Sequence, residues 1–114
     1  FVAAAFARGK TIIRGAEELR TKESDRLEAM SNSLRVLGVE SKNYSDGIDI
    51  IGKSSLKSSV IIDSFGDHRI AMASSIACSM LEGENIIKNV ENIQTSFPNF
   101  IETCGSLGIK AESF

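Results

Sequence analysis

The sequence predicts an α/β (α+β) fold built from repeated helix–strand units, with amphipathic helices covering one side of a sheet and other helices buried. Three observations predict it. Segments with apolar residues at three- and four-residue spacing alternate with short runs rich in Ile and Val. The chain also repeats itself: residues 9–21 align with residues 83–95 at a constant offset of 74. Each copy follows an Ala-rich apolar helix. Each precedes a second helix that closes on Leu37-Gly38-Val39-Glu40 or Leu107-Gly108-Ile109-Lys110, where the offset has fallen by four, about one helical turn. The duplicated unit reads as buried helix, strand, loop, amphipathic helix, strand. Finally, 42% of the 114 residues are hydrophobic, enough for a core and too many for a disordered chain.

The elements follow in order. Residues 1–8 read as the end of an apolar helix closed by Gly9. They lack the layout of a signal peptide, so the expectation is a sequence that starts inside a longer protein, with the front of the first repeat missing. A strand is expected near 10–14. In the helix expected over 22–37, Leu27, Met30, Leu34 and Leu37 form a narrow apolar stripe, with Ser24, Asp25, Glu28, Ser31, Asn32 and Arg35 opposite. Strands near 38–42 and 47–51 flank a turn at Asp46-Gly47. Lys53–Ser59 reads as a surface loop, and Tyr44 as a surface residue. A strand near 59–63 leads to a helix over 67–81 that is apolar nearly all round and is expected to be buried. A strand near 85–88 follows. Thr95-Ser96-Phe97-Pro98 opens a helix over 97–107, with Phe97, Phe100, Ile101 and Cys104 assigned to the core. The last strand is expected near 109–113.

Two motifs stand at expected helix starts: Lys22-Glu23-Ser24-Asp25-Arg26 and Asp67-His68-Arg69. A helix N-terminus carries unpaired N–H groups and a positive dipole end, which favour anions. Lys and Arg at two such ends make a clamp for phosphate or carboxylate, and Glu23 places a proton-transfer group beside it. On the helical wheel Glu23 continues the buried stripe, with Lys22 and Arg26 along its edge. Buried charge is costly unless paired or used, so a cleft is expected at this helix end. The residues alone leave a plainer reading open, in which Thr21 caps the helix and Glu23 pairs with Arg26. At the second motif Asp67 is read as a helix cap and Arg69 as an anion ligand, with His68 undecided.

Composition narrows the function classes. A formal net charge of −2 provides no basic field for nucleic acid, and no apolar run is long enough for a membrane span. With one His and two Cys, a zinc site or a disulfide framework is not expected; Cys78 and Cys104 read as buried hydrophobes in a reducing, cytoplasmic setting.

The series Glu18-Leu19-Arg20-Thr21-Lys22-Glu23-Ser24-Asp25-Arg26-Leu27, Asp67-His68-Arg69-Ile70-Ala71-Met72 and Thr95-Ser96-Phe97-Pro98 resembles the 5-enolpyruvylshikimate-3-phosphate synthase family. The match spans nearly the whole chain, in order and spacing. The resemblance implies a partial enolpyruvyl-transferase domain: the C-terminal part of the second domain of a two-domain enzyme, each domain built from three repeated α/β units around buried helices. It implies transfer of the enolpyruvyl group of phosphoenolpyruvate to the 5-hydroxyl of shikimate 3-phosphate, through a tetrahedral intermediate and with release of phosphate. No metal or organic cofactor is implied, and the parent is expected to be a monomer. The partners implied are the two substrates and the missing N-terminal domain.

By the same resemblance, Lys22 contacts shikimate 3-phosphate near the reacting centre and Glu23 transfers the proton at the methylene carbon. Arg26 and Arg69 hold phosphoenolpyruvate, and His68 lies close to that site. Many family members carry a phosphoenolpyruvate-binding lysine where this chain has Thr95, and the Thr-Ser-Phe-Pro form is similar to the glyphosate-tolerant branch. The family's catalytic aspartate and the other domain's phosphate ligands have no counterpart in these residues. The isolated segment is therefore expected to be inactive. Two other readings compete: a UDP-sugar enolpyruvyl transferase of the same fold, and a non-catalytic module that uses the clamp only to hold a phosphorylated ligand.

Overall fold

The computed structural model describes residues 1–112, without the side chains of Gln94 and Thr95. Its elements in chain order are α1 (Val2–Phe6), β1 (Lys10–Ile13), a 3-10 turn (Glu17–Thr21), α2 (Arg26–Val36), β2 (Glu40–Tyr44), β3 (Gly47–Ile51), β4 (Ile61–Asp63), α3 (His68–Ser79), β5 (Ile86–Lys88), α4 (Ile93–Ser96) and α5 (Phe100–Ser106). The α/β expectation holds. β3 lies at the centre of an antiparallel sheet, in the order β1-β3-β2, and a separate parallel pair joins β4 to β5 across α3. No helix among the described residues is long and apolar enough to cross a membrane.

Register explains how the sheet is buried. Ile48 and Ile50 alternate with Asp49 along β3, so the two isoleucines share the core face. The expected stripe of α2 lies against them: Leu27, Met30, Leu34 and Leu37 are all buried, and Leu27, Leu34 and Leu37 pack with Ile48, Ile50, Val39 and Ile62. Each such side chain contributes about 1.5–3 kcal/mol when fully buried. Ser31, assigned to the solvent side, is buried instead.

Asp49 points to the other face and is nearly as buried. Lys10 Nζ (3.1 Å) and Arg14 Nη2 (2.9 Å) pair with its two oxygens, and Tyr44 donates its hydroxyl at 3.1 Å. The Arg14 guanidinium lies 4.0 Å from the centroid of the Tyr44 ring. Tyr44 is thus part of the cover over a buried carboxylate rather than a free surface residue. Burial would raise the Asp49 pKa, but the hydrogen bonds from Lys10, Arg14 and Tyr44 outweigh it and hold it low.

Helix ends repeat as the sequence does. After α2, Gly38 N donates to Arg35 O and Val39 N to Leu34 O; after α5, Gly108 N donates to Gly105 O and Ile109 N to Cys104 O. Both are Schellman closures with a left-handed glycine, at φ 81° and 83°. They lie 70 residues apart, as the shortened offset requires.

Four expectations are corrected. α2 starts at Arg26, not near 22, because Asp25 rather than Thr21 caps it: Asp25 Oδ1 accepts from Glu28 N at 3.1 Å, while Thr21 Oγ1 turns back to Glu18 O. α3 is not buried all round. Ile70, Ala71, Ser74, Ala77 and Cys78 face the core, whereas Ile76 and Met80 are exposed. The last helix starts at Phe100, after the short α4, so Phe97 sits outside it and stacks edge-on against Phe100. Phe100 and Cys104 are buried one turn apart, and Phe97 and Ile101 remain exposed. Lastly, no strand forms over 109–112; residue 113 lies outside the described residues. Both cysteines are buried and free.

Candidate active site

The Lys22–Arg26 segment is shaped by a residue outside it. The guanidinium of Arg20 bonds Ser45 O (2.9 Å), Asn43 Oδ1 (2.9 Å), Tyr44 O and Asp25 Oδ2 (2.8 Å). It ties the end of the β2–β3 hairpin to the N-cap of α2. The 3-10 turn ends in an extended Lys22, so Lys22, Glu23 and Ser24 precede the helix instead of forming its first turn. Of the charged residues Lys22, Glu23 and Arg26, only Arg26 lies on the helix. Arg26 is buried, while Glu23 keeps 53% of its side chain exposed and Lys22 is exposed.

The two motifs meet at Asp67. This carboxylate has no solvent exposure. Oδ1 accepts Arg69 N at 3.0 Å, which is the expected helix cap. Oδ2 accepts Arg26 Nε at 2.9 Å and Ser24 Oγ at 2.7 Å, and Arg26 Nη2 approaches Oδ1 at 3.3 Å. Burial would raise the Asp67 pKa, but the hydrogen bonds from Arg26, Ser24 and the Arg69 backbone outweigh it and hold the group ionised. Arg26 Nη2 also pairs with Glu23 Oε2. The plainer Glu23–Arg26 contact is thus present, alongside a buried pair 41 residues apart in sequence.

The cations divide into two kinds. Arg26 is committed at Nε and Nη2, and its Nη1 donates no hydrogen bond among the described residues. Arg69 and Lys22 are exposed, and neither forms an ion pair among the described residues. Arg26 and Arg69 line one groove of about 470 Å³ between α1, α2 and α3, whose other walls are apolar, among them Leu19, Met30, Ile70 and Ile76. Lys22, Glu23 and His68 do not line it. His68 opens α3 half-buried and makes no side-chain hydrogen bond among the described residues. Among the described residues no group of three His, Cys, Asp or Glu is placed to hold a metal. The side chain of Thr95, the variant position of the third motif, lies outside the described residues.

Sequence reasoning missed Arg20 and the joining role of Asp67. For Arg20 the only available signal was its place one turn ahead of an N-cap aspartate. For Asp67 it was the fit between an acidic cap on an apolar helix and a basic residue on the edge of another apolar stripe.

The chain matches the family model for EPSP synthase (3-phosphoshikimate 1-carboxyvinyltransferase) over residues 1–104. It is 47% identical over 112 residues to a 3-phosphoshikimate 1-carboxyvinyltransferase of Methylococcus capsulatus, covering 98% of this chain and 25% of that protein. It is 45% identical over 109 residues to the protein of the same name from Vesicomyosocius okutanii, covering 96% of this chain and 25% of that one. Among solved structures, an EPSP synthase from Acinetobacter baumannii superposes with a TM-score of 0.90 at 39% identity, over 97% of this chain and 26% of that chain. The chain spans about a quarter of the length of the relatives it matches.

Proposed function

The chain belongs to the EPSP synthase family, and on that premise we propose that it is the C-terminal part of the second domain of a two-domain enolpyruvyl transferase. In this reading the whole enzyme transfers the enolpyruvyl group of phosphoenolpyruvate to the 5-hydroxyl of shikimate 3-phosphate and releases phosphate. It acts as a cytoplasmic monomer without a cofactor, and its site is completed by residues from the rest of the protein. The observation that carries the reading is the union of the two motifs: Asp67 joins Arg26 to the start of α3, so that Arg26 and Arg69 line one groove.

The roles follow from charge and reach. Arg69 takes the anionic groups of phosphoenolpyruvate through a guanidinium that forms no ion pair among the described residues, and Arg26 adds the Nη1 that donates no hydrogen bond among them. Lys22, exposed beside Glu23, meets shikimate 3-phosphate. Glu23 delivers a proton to the methylene carbon during addition and removes one during elimination, a double task that suits a carboxylate. His68 stands next to Arg69 as a further polar contact. Fixed cations at the phosphate and carboxylate orient the vinyl group and stabilise charge as it develops. We also assign the chain to the Thr-Ser-Phe-Pro branch; Thr95-Ser96-Phe97-Pro98 is its support, and glyphosate titration against phosphoenolpyruvate is its test.

The test of the main reading is phosphate release by the full-length protein from phosphoenolpyruvate, offered shikimate 3-phosphate or UDP-N-acetylglucosamine. Release is expected with shikimate 3-phosphate alone. Glu23→Gln is expected to lower turnover roughly 10²- to 10⁴-fold while leaving substrate binding nearly unchanged. No release with either acceptor would leave an anion clamp without chemistry.

A further inference from the structure

We propose that Asp67 is a positioning residue for the phosphoenolpyruvate site, acting by fixing the guanidinium of Arg26. The inference rests on the functional reading above. A helix cap needs one acceptor, and Asp67 provides it with Oδ1 to Arg69 N at 3.0 Å. Its second oxygen serves another purpose. Oδ2 takes Arg26 Nε at 2.9 Å and Ser24 Oγ at 2.7 Å. With no solvent exposure, the carboxylate cannot touch a substrate. Its bond to Arg69 is a backbone cap, so the substrate-facing side chain that it holds is that of Arg26.

The geometry leaves Arg26 little freedom. Asp67 holds Nε and, at 3.3 Å, Nη2, which Glu23 Oε2 holds as well; both contacts turn the remaining Nη1 away from the Asp67 carboxylate. Ser24 completes the arrangement from the loop before α2, bonding the same oxygen as Nε. A fork held on two of its three nitrogens presents the third at a fixed angle, so a substrate anion meets a donor whose direction is already set. Asn at position 67 would keep the cap. If its Oδ1 stays on Arg69 N, its NH2 group faces the Arg26 Nε–H donor, and the guanidinium must turn away.

The experiment compares steady-state kinetics of the full-length wild type, Asp67→Asn and Ser24→Ala with both substrates varied. Asp67→Asn is expected to raise KM for phosphoenolpyruvate tenfold or more, with KM for shikimate 3-phosphate unchanged. Ser24→Ala, which leaves the ion pair in place, is expected to shift the same constant about fivefold. A purely structural role would reduce the active fraction, lowering kcat without moving either KM. That result, or equal shifts in both KM values, would overturn the proposal. If Asp67→Asn does not fold, Ser24→Ala decides: an unmoved KM for phosphoenolpyruvate overturns the inference. A wild type that releases no phosphate would overturn the functional reading and this inference with it, whereas an active wild type with unmoved variants overturns the inference alone.

Discussion

Gly15 and Asn89 lie 74 residues apart and share the left-handed backbone conformation, with φ of 67° and 61°. Each follows the strand of its repeat and precedes a short helical turn closed by matching bonds, Leu19 N to Ala16 O and Ile93 N to Val90 O. The duplication is therefore conserved in backbone geometry although Gly has become Asn. Asn is the non-glycine residue that tolerates this region best, and here its amide also bonds Asp63 Oδ1 at 2.8 Å. Asn89→Ala is expected to destabilise by about 1–2 kcal/mol, from backbone strain plus the lost bond, and Asn89→Gly by less. Urea midpoints of the two variants check this; equal losses would mean that the side-chain bond, not the backbone, matters.

How much of this was legible in the sequence varied with the range of the interactions. The stripe Leu27-Met30-Leu34-Leu37 depends only on local period, and all four residues are buried as expected. The cap at Asp67 is equally local. The start of α2 was not legible, because Asp25 outcompetes Thr21 with the help of Arg20, whose other partners lie on β2 and its turn. Tyr44 departs from the surface reading for a similar reason: its partner Asp49 is close in number but across a hairpin, and its cation Arg14 comes from just past β1. At the candidate site, the residue types were readable, but the pairing of Arg26 with Asp67 needs two helices brought together by the core.

That pairing has an energetic consequence. Removing one partner of a buried ion pair leaves the other unpaired, at a cost of about 3–5 kcal/mol. Arg26→Met is therefore expected to destabilise by this amount, since Asp67 has no exposure to water. Adding Asp67→Asn to Arg26→Met removes the stranded charge while keeping an acceptor for Arg69 N, so the double variant is expected to be more stable than Arg26→Met. Urea denaturation of the three variants measures the coupling; additive losses would show that the two groups do not interact.

Acid should unfold the protein through its paired carboxylates. Asp49, Asp63 and Asp67 all have lowered pKa values in the fold. For Asp63 the cause is the Asn89 amide first and the Phe65 N–H second. A lowered folded pKa means that the unfolded chain binds more protons in the interval, so stability rises with pH there. The stabilisation is complete above the unfolded value of about 3.9 and is lost as pH falls through the folded values. Thermal midpoints are expected to be flat from neutral pH down to about pH 5 and to drop below about pH 4. Asp67→Asn should shallow that drop; an unchanged acid limb would assign it to other groups.

Two glycines separate close approach from helix propensity. A Cβ built on Gly47 would lie 1.9 Å from Ile13 O and 2.7 Å from Ile13 C, both backbone atoms of the adjacent strand. Those atoms are held by the β1–β3 ladder and have no flexible end to yield. Gly47→Ala must therefore spread the sheet beside Ile48, at a cost of about 1–3 kcal/mol or more. Gly105 is the opposite case. It lies inside α5 with nothing among the described residues within 4 Å of a Cβ, and it has no positive φ. Gly105→Ala is expected to stabilise by about 0.5–1 kcal/mol, because alanine loses less backbone entropy in a helix. Chemical denaturation of both variants should move the midpoint in opposite directions. A stabilising Gly47→Ala would mean that β1 and β3 do not approach as closely as the register requires.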